Sequence, residues 1–93
     1  MKVYIVSKSR TSTDLYDQAE DYTNIVAVYA KREAAANCVS NGVIETKKEF
    51  AMRPGDRKTK VCRWANRSAT VDVYYDDDLE YSFDFCIREE EVK

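Results

Sequence analysis

The stretch Asn24–Gly42, which reads NIVAVYAKREAAANCVSNG, decides the fold that the sequence predicts. It places an unbroken apolar run, Ile25–Ala30, directly before a helical segment rich in small side chains. The run predicts a strand that is buried on both faces. Small side chains let the helix lie close to a sheet. Asn41-Gly42 predicts the C-terminal end of this helix, because both residues tolerate a left-handed backbone.

Three further segments predict strands that lie beside this unit. Met1–Ser7 is apolar on both faces, which is typical of a central strand. Pro and Gly within residues 53–56 predict a turn, and Lys58–Trp64 predicts a short strand after it. Ala69–Arg88 alternates apolar and polar side chains and predicts a hairpin.

Two segments have a less regular pattern. Lys8–Tyr22 is polar and predicts a long loop. Val43–Met52 predicts a second short helix, with a fifth strand as the alternative. The sequence therefore predicts one domain of the α+β class over residues 1–93. In this fold a mainly antiparallel sheet of four or five strands carries one or two helices on one face.

The register of the hairpin is predicted by matching its apolar faces. A two-residue turn would set Val73 opposite Glu80 and mix the faces, since opposite residues of an antiparallel pair share a face. A three-residue loop, Asp76–Asp78, keeps the faces apart. We therefore predict the following pairs: Tyr75 with Leu79, Val73 with Tyr81, and Val71 with Phe83.

Several classes of enzyme and metal site are disfavoured by the composition. The chain has no histidine, so it has no imidazole base and no Ser-His-Asp arrangement. Two isolated glycines do not build a loop that cradles phosphate. The cysteines, Cys38, Cys62 and Cys86, are far apart and predict reduced thiols rather than disulfides or a zinc site. We expect a protein that is not an enzyme and needs neither cofactor nor metal.

The apolar runs are all short. None approaches the ~18–20 residues that a membrane span requires, and the N-terminal MKVYIVSKSR is too short for the apolar part of a signal peptide. The sequence predicts a cytoplasmic protein without membrane contact.

The net charge of −2 conceals an asymmetry along the chain. Lys31–Ser68 contains ten basic residues and four acidic ones, whereas Ala69–Lys93 contains nine acidic residues and two basic ones. Such a division predicts either oppositely charged surfaces or segments that neutralise one another in the folded protein.

The acidic hairpin is the first candidate binding surface. Its register predicts negative charge along the outer face and at the tip, which suits a protein partner with a basic surface. Alternatively, these charges only keep an outer strand soluble. The candidate partner-binding residues are Asp72, Asp76, Asp77, Asp78, Glu80 and Asp84.

The basic segment 53–67 is the alternative surface, for nucleic acid. Lysine and arginine contact phosphates, and a tryptophan stacks on a base. The size of Trp64 favours a place in the core instead, and a pI near 5.2 disfavours a general nucleic-acid binder. The candidate residues are Arg53, Arg57, Lys58, Lys60, Arg63, Trp64 and Arg67.

Three short matches carry a resemblance: Val3–Val6, Val26–Tyr29 and Arg32–Ala35. With them the chain resembles a loose group of small, mostly phage-encoded proteins, in which a V-x-V-[YF]-x-x-[RK]-E-x-A junction precedes a helix. The resemblance implies a phage or mobile-element origin and, by analogy, an inhibitor of host defence such as an anti-CRISPR protein. The function we expect is inhibition of a host protein, such as a defence nuclease, through the acidic hairpin. The alternative is a nucleic-acid-binding accessory protein that uses residues 53–67.

Overall fold

The computed structural model describes residues 1–12, 22–53, 55, 57–64, 67–76 and 78–92. All strand pairs are antiparallel, and they form one five-stranded sheet in the order β2-β1-β5-β4-β3. A helix, α1, packs on one face of this sheet, which confirms the predicted α+β class. The elements are β1 (Lys2–Ser12), β2 (Tyr22–Tyr29), α1 (Arg32–Ala51), β3 (Arg57–Arg63), β4 (Ala69–Tyr75) and β5 (Asp78–Glu91).

The helix is longer than predicted. Its expected end at Asn41-Gly42 is wrong, because α1 continues to Ala51. The segment Val43–Met52 is therefore mostly helical, as part of the same helix, and its strand alternative is wrong. Gly42 lies inside the helix where the sheet comes close: a Cβ atom there would lie 2.6 Å from Cε1 of Phe85. The glycine allows close packing rather than ending the helix.

The core lies between α1 and one face of the sheet, called here the inner face. The buried helix residues recur every three or four positions and are Ala35, Val39, Val43, Thr46 and Phe50. The Thr46 hydroxyl donates a 2.8 Å hydrogen bond to the Gly42 carbonyl, so this buried polar group is satisfied. The buried apolar residues of the strands are Val6, Ala69, Val71, Val73, Phe83 and Phe85.

The two strands at the N-terminal end differ in their burial. β1 pairs with both β2 and β5, which confirms its central position. β1 continues to Ser12, so part of the predicted loop Lys8–Tyr22 is strand; residues 13–21 lie outside the described residues. β2 is an edge strand, and its predicted burial on both faces is wrong. Three of its apolar side chains are more than half exposed: Ile25 (67%), Val26 (51%) and Val28 (56%).

The hairpin keeps most of its predicted register. Val73 pairs with Tyr81, and Val71 pairs with Phe83, as expected. The third predicted pair, Tyr75 with Leu79, is wrong, because Tyr75 lies opposite Asp78 and Tyr74 lies opposite Leu79. The register shifts at this point and leaves Glu80 as an extra residue in β5. A bulge of this kind takes its residue out of the strict alternation of faces.

The connection before β3 contains Gly55, whose φ of 98° suits a turn residue. Residues 54 and 56 of the predicted turn lie outside the described residues. The predicted strand Lys58–Trp64 is confirmed with a shift of one residue, as Arg57–Arg63. Among the residues that the structure describes, no helix has the length and apolar character needed to cross a bilayer.

The close approach of α1 to the sheet gives a prediction for Gly42. Gly42→Val places two methyl groups against the buried Phe85 ring, so overpacking should lower the free energy of unfolding by about 1–3 kcal/mol. Asn41→Val is the matched control, because its side chain is exposed, and the change should stay within about 0.5 kcal/mol. Chemical denaturation of both variants makes the measurement. Equal stabilities would contradict the close approach.

Candidate binding surfaces

Two of the predicted partner-binding acids are tied to their neighbours on the outer face, the sheet face opposite α1. Asp72 and Asp84 alternate with buried residues and are half-buried. Asp72 Oδ1 accepts a 2.8 Å hydrogen bond from Ser82 Oγ, and Lys60 lies directly opposite on β3. Asp84 Oδ1 accepts a 2.7 Å hydrogen bond from Thr70 Oγ1. These carboxylates are anchored within the sheet.

Glu80 does not lie on a freely solvated outer face, and this part of the prediction is wrong. Its carboxylate pairs with the Arg57 guanidinium at 3.4 Å, and each side chain is only 16% exposed. The same guanidinium lies 4.8 Å from the centre of the Tyr75 ring. Glu80 was expected to bind a partner and Arg57 to bind phosphate, but the two residues neutralise one another.

The hairpin tip, defined as the described residues of Tyr75–Leu79, holds the remaining acidic candidates. Asp76 and Asp78 are exposed, and Asp76 has a positive φ of 52°. Asp77 lies outside the described residues. The Tyr75 and Leu79 side chains are also exposed, so the tip combines negative charge with apolar surface.

The basic candidates are more open. Arg53 pairs with Glu49 at 2.7 Å and lies over the Phe50 ring, which ties it to α1. Lys58 and Lys60 are exposed on β3 and form no ion pair with any described residue. Arg63 and Arg67 are also exposed and likewise form no ion pair with any described residue.

The expectation that Trp64 belongs to the core is wrong. It is 58% exposed, because it directly follows β3, which is an edge strand of the sheet. Its Nε1 atom donates a 3.1 Å hydrogen bond to Thr70 Oγ1, the same hydroxyl that donates to Asp84. The ring is therefore held in one orientation while much of its surface stays open to solvent.

A cavity of about 210 Å³ lies beside this ring, and we call it the Trp64 groove. Backbone hydrogen bonds shape it: the Trp64 amide donates to the Ser68 carbonyl at 2.9 Å, and the Arg67 amide donates to the Trp64 carbonyl at 3.0 Å. Arg67 adopts a left-handed φ of 64° in this turn. The lining residues are Ala36, Ser40, Arg63, Trp64, Arg67 and Ser68. Trp64 and two arginines thus border one concave site together with small residues of α1.

A second cavity, of about 290 Å³, lies between α1 and the strands β1 and β2. Lys8 lines it, and its Nζ lies 5.1 Å and 5.5 Å from the ring centres of Phe83 and Phe85. Tyr29 and Cys38 also line it, and a hydrogen bond with Cys38 raises the pKa of the Tyr29 hydroxyl. This lining mixes apolar, acidic and basic groups and does not select one kind of ligand.

The cysteines are free thiols in the structure. Partial burial, with a smaller contribution from the Asp84 charge, raises the pKa of the Cys86 thiol above its ordinary value. Cys86 is therefore a poor nucleophile near neutral pH. Within the described ranges, no group of three or more histidine, cysteine, aspartate or glutamate side chains is placed to hold a metal ion.

Comparison with known proteins found no matching family model, no similar curated protein and no similar solved structure. The resemblance to phage-encoded proteins therefore stays a prediction.

The different surroundings of the hairpin acids give a second prediction. Glu80→Gln removes the charge from a pair that is largely shielded from water, and should lower the free energy of unfolding by about 1–2 kcal/mol. Asp78→Asn removes an equal charge from the exposed tip and should change it by less than about 0.5 kcal/mol. Urea denaturation measures both. If Glu80→Gln lowers the free energy of unfolding no more than Asp78→Asn does, then the ion pair between Glu80 and Arg57 contributes little to stability.

Proposed function

We propose that this protein is a non-catalytic binding protein that holds a single-stranded nucleic acid in the Trp64 groove. The observation that carries the proposal is the meeting of an exposed, oriented Trp64 with Arg63 and Arg67 in one cavity. Aromatic rings that stack on bases, beside cations that follow the backbone, are the usual elements of single-strand binding.

The state of the charges favours this site over the acidic hairpin. Asp72, Asp84 and Glu80 are bonded within the protein. Arg63 and Arg67 form no ion pair with a described residue, so they can bind a phosphate without first breaking such a pair. Guanidinium groups bind phosphate oxygens through charge-assisted hydrogen bonds.

The size of the groove limits the ligand. A cavity of about 210 Å³ accommodates little more than one base with its phosphate, and not a duplex. Lys58 and Lys60 lie on the outer face of β3, since they pair with Tyr74 and Asp72, whereas Ala36 and Ser40 of α1 place the groove on the inner side of the sheet. The cationic partners for phosphate at the groove are therefore Arg63 and Arg67. With two phosphate contacts to a single strand, the logarithm of the binding constant should fall against the logarithm of salt concentration with a slope of roughly −1.4.

Paired charge variants test the nucleic-acid proposal. Arg63→Gln with Arg67→Gln should weaken binding of a short single-stranded oligonucleotide at least about tenfold, since two charge-assisted contacts are lost. Lys47→Gln with Lys48→Gln removes the same charge from exposed positions of α1 that do not line the groove, and should have little effect. Gel shifts at two salt concentrations compare them. Equal weakening by both variants would mean that only net charge matters.

The tryptophan offers an independent measurement. Trp64 is the only tryptophan, so its fluorescence reports on the groove alone. An oligonucleotide that stacks on the ring should quench this fluorescence, and Trp64→Leu should cost about 1–3 kcal/mol of binding free energy. Binding without quenching would place the nucleic acid elsewhere on the protein.

A second candidate function is binding to a host protein with a basic surface, such as a defence nuclease, through the hairpin tip. The observation that favours it is the exposure of Tyr75 and Leu79 beside Asp76 and Asp78. Protein interfaces need an apolar or aromatic anchor, and charged groups around it steer the partner. A phage origin, which the sequence resemblance implies, suits this function.

For the second candidate, Asp76→Asn with Asp78→Asn should leave the melting temperature nearly unchanged, because both side chains are exposed. The same variant should weaken binding to a host protein captured from lysate at least about tenfold, with slower association. Lys58→Gln with Lys60→Gln is the matched control. A captured protein that binds the tip variant normally and the control poorly would assign the interaction to β3.

A further inference from the structure

The two edges of the sheet are protected very differently. β3, at one edge, carries Arg57, Lys58, Lys60 and Arg63 and no acidic residue. Charged side chains of this kind keep an edge strand from pairing with another strand. β2, at the other edge, has no charged residue from Tyr22 to Ala30. This contrast marks β2 as the edge that is open to strand addition.

Exposed apolar side chains make the β2 edge costly to leave in water. Ile25 and Val28 point to the outer face, since they lie opposite Ser7 and Ile5 of β1, and they are 67% and 56% exposed. A long, uncharged and apolar edge strand is a template for pairing through its free backbone groups. Addition of a strand would cover these side chains and would also provide hydrogen-bond partners for the free backbone groups of β2.

We propose that β2 pairs antiparallel with β2 of a second copy of this chain, which joins the two sheets into one continuous sheet. In the proposed register, Ile25 of one copy lies opposite Val28 of the other. A twofold axis makes this contact twice and gathers four apolar side chains on the outer face. Residues that share a face in one copy then share it with the other, as antiparallel pairing requires.

The charges at the ends of β2 favour this partner and this direction. The exposed Lys31 follows the strand after one intervening residue, Ala30, and forms no ion pair with a described residue. In the sequence, Glu20-Asp21 directly precede the strand. Antiparallel pairing sets the basic end of one copy beside the acidic end of the other, whereas parallel pairing would set like charges together. The chain is thus complementary to itself at this edge.

The dimer leaves the proposed binding site free. The Trp64 groove lies beside β3, at the opposite edge of the sheet from β2. Each dimer would therefore carry one groove at either end of the joined sheet. The inference does not depend on what the groove binds.

Sedimentation and charge variants test the pairing and its register. The wild-type chain should be mainly dimeric at about 100 µM and dissociate on dilution. Ile25→Lys with Val28→Lys sets lysine opposite lysine, and should raise the dissociation constant at least about tenfold. Ile25→Glu with Val28→Lys sets opposite charges across the interface at the same positions, and should keep the dimer. Ile44→Lys, at an exposed apolar position of α1, is the control and should not alter it.

Amide hydrogen exchange locates the interface. Protection of residues 22–29 should rise with protein concentration, whereas that of the other edge, residues 57–63, should not. A wild-type chain that stays monomeric at about 1 mM would overturn the proposal, as would concentration-dependent protection of β3 alone. Failure of the Glu–Lys variant to dimerise better than the Lys–Lys variant would overturn the proposed register.

Discussion

The close contact between α1 and the sheet at Gly42 is the constraint on which the structure depends. The helix leaves β2 at one edge and delivers the chain to β3 at the other, and it contacts all five strands. Its small side chains and the missing Cβ of Gly42 let the Phe85 ring reach the helix backbone. Further along, Phe50 packs against Tyr81 and Phe83, with ring centres 5.6 Å apart in each pair. A single helix thereby forms the core with a sheet that is much wider than the helix.

The sequence predicted best where one face of an element is buried and the other is polar. The alternation in β4 and β5 specified two of the three predicted pairs, because a shift by one residue would have exposed Val71 or Phe83. The prediction was wrong at Glu80, because a bulge inserts one residue into a strand and the alternation of apolar and polar side chains does not indicate where. For the same reason the sequence did not predict the ion pair between Glu80 and Arg57.

Other errors arose where a local signal had more than one physical meaning. Gly42 resembles a helix end, but its small size serves a tertiary contact. The apolar run of β2 resembles a buried strand, although it forms an exposed edge. Trp64 resembles a core residue by its size, yet the strand ends just before it. In each case the outcome depends on which distant part of the chain packs against the residue, and the local sequence pattern does not contain that information.

The antiparallel pairing of β1 with β5 has a consequence for how the chain acquires its structure. Lys2 lies opposite Glu91, and the N-terminal amine lies 3.3 Å from both the Glu91 carboxylate and the Val92 carbonyl. The centre of the sheet therefore forms only when β1 and β5, the first and last strands of the fold in chain order, meet. Their pairing closes a loop that contains β2, α1, β3 and β4. A contact between strands so far apart in the sequence slows folding, because the entropy of closing the loop is lost before the contact can form.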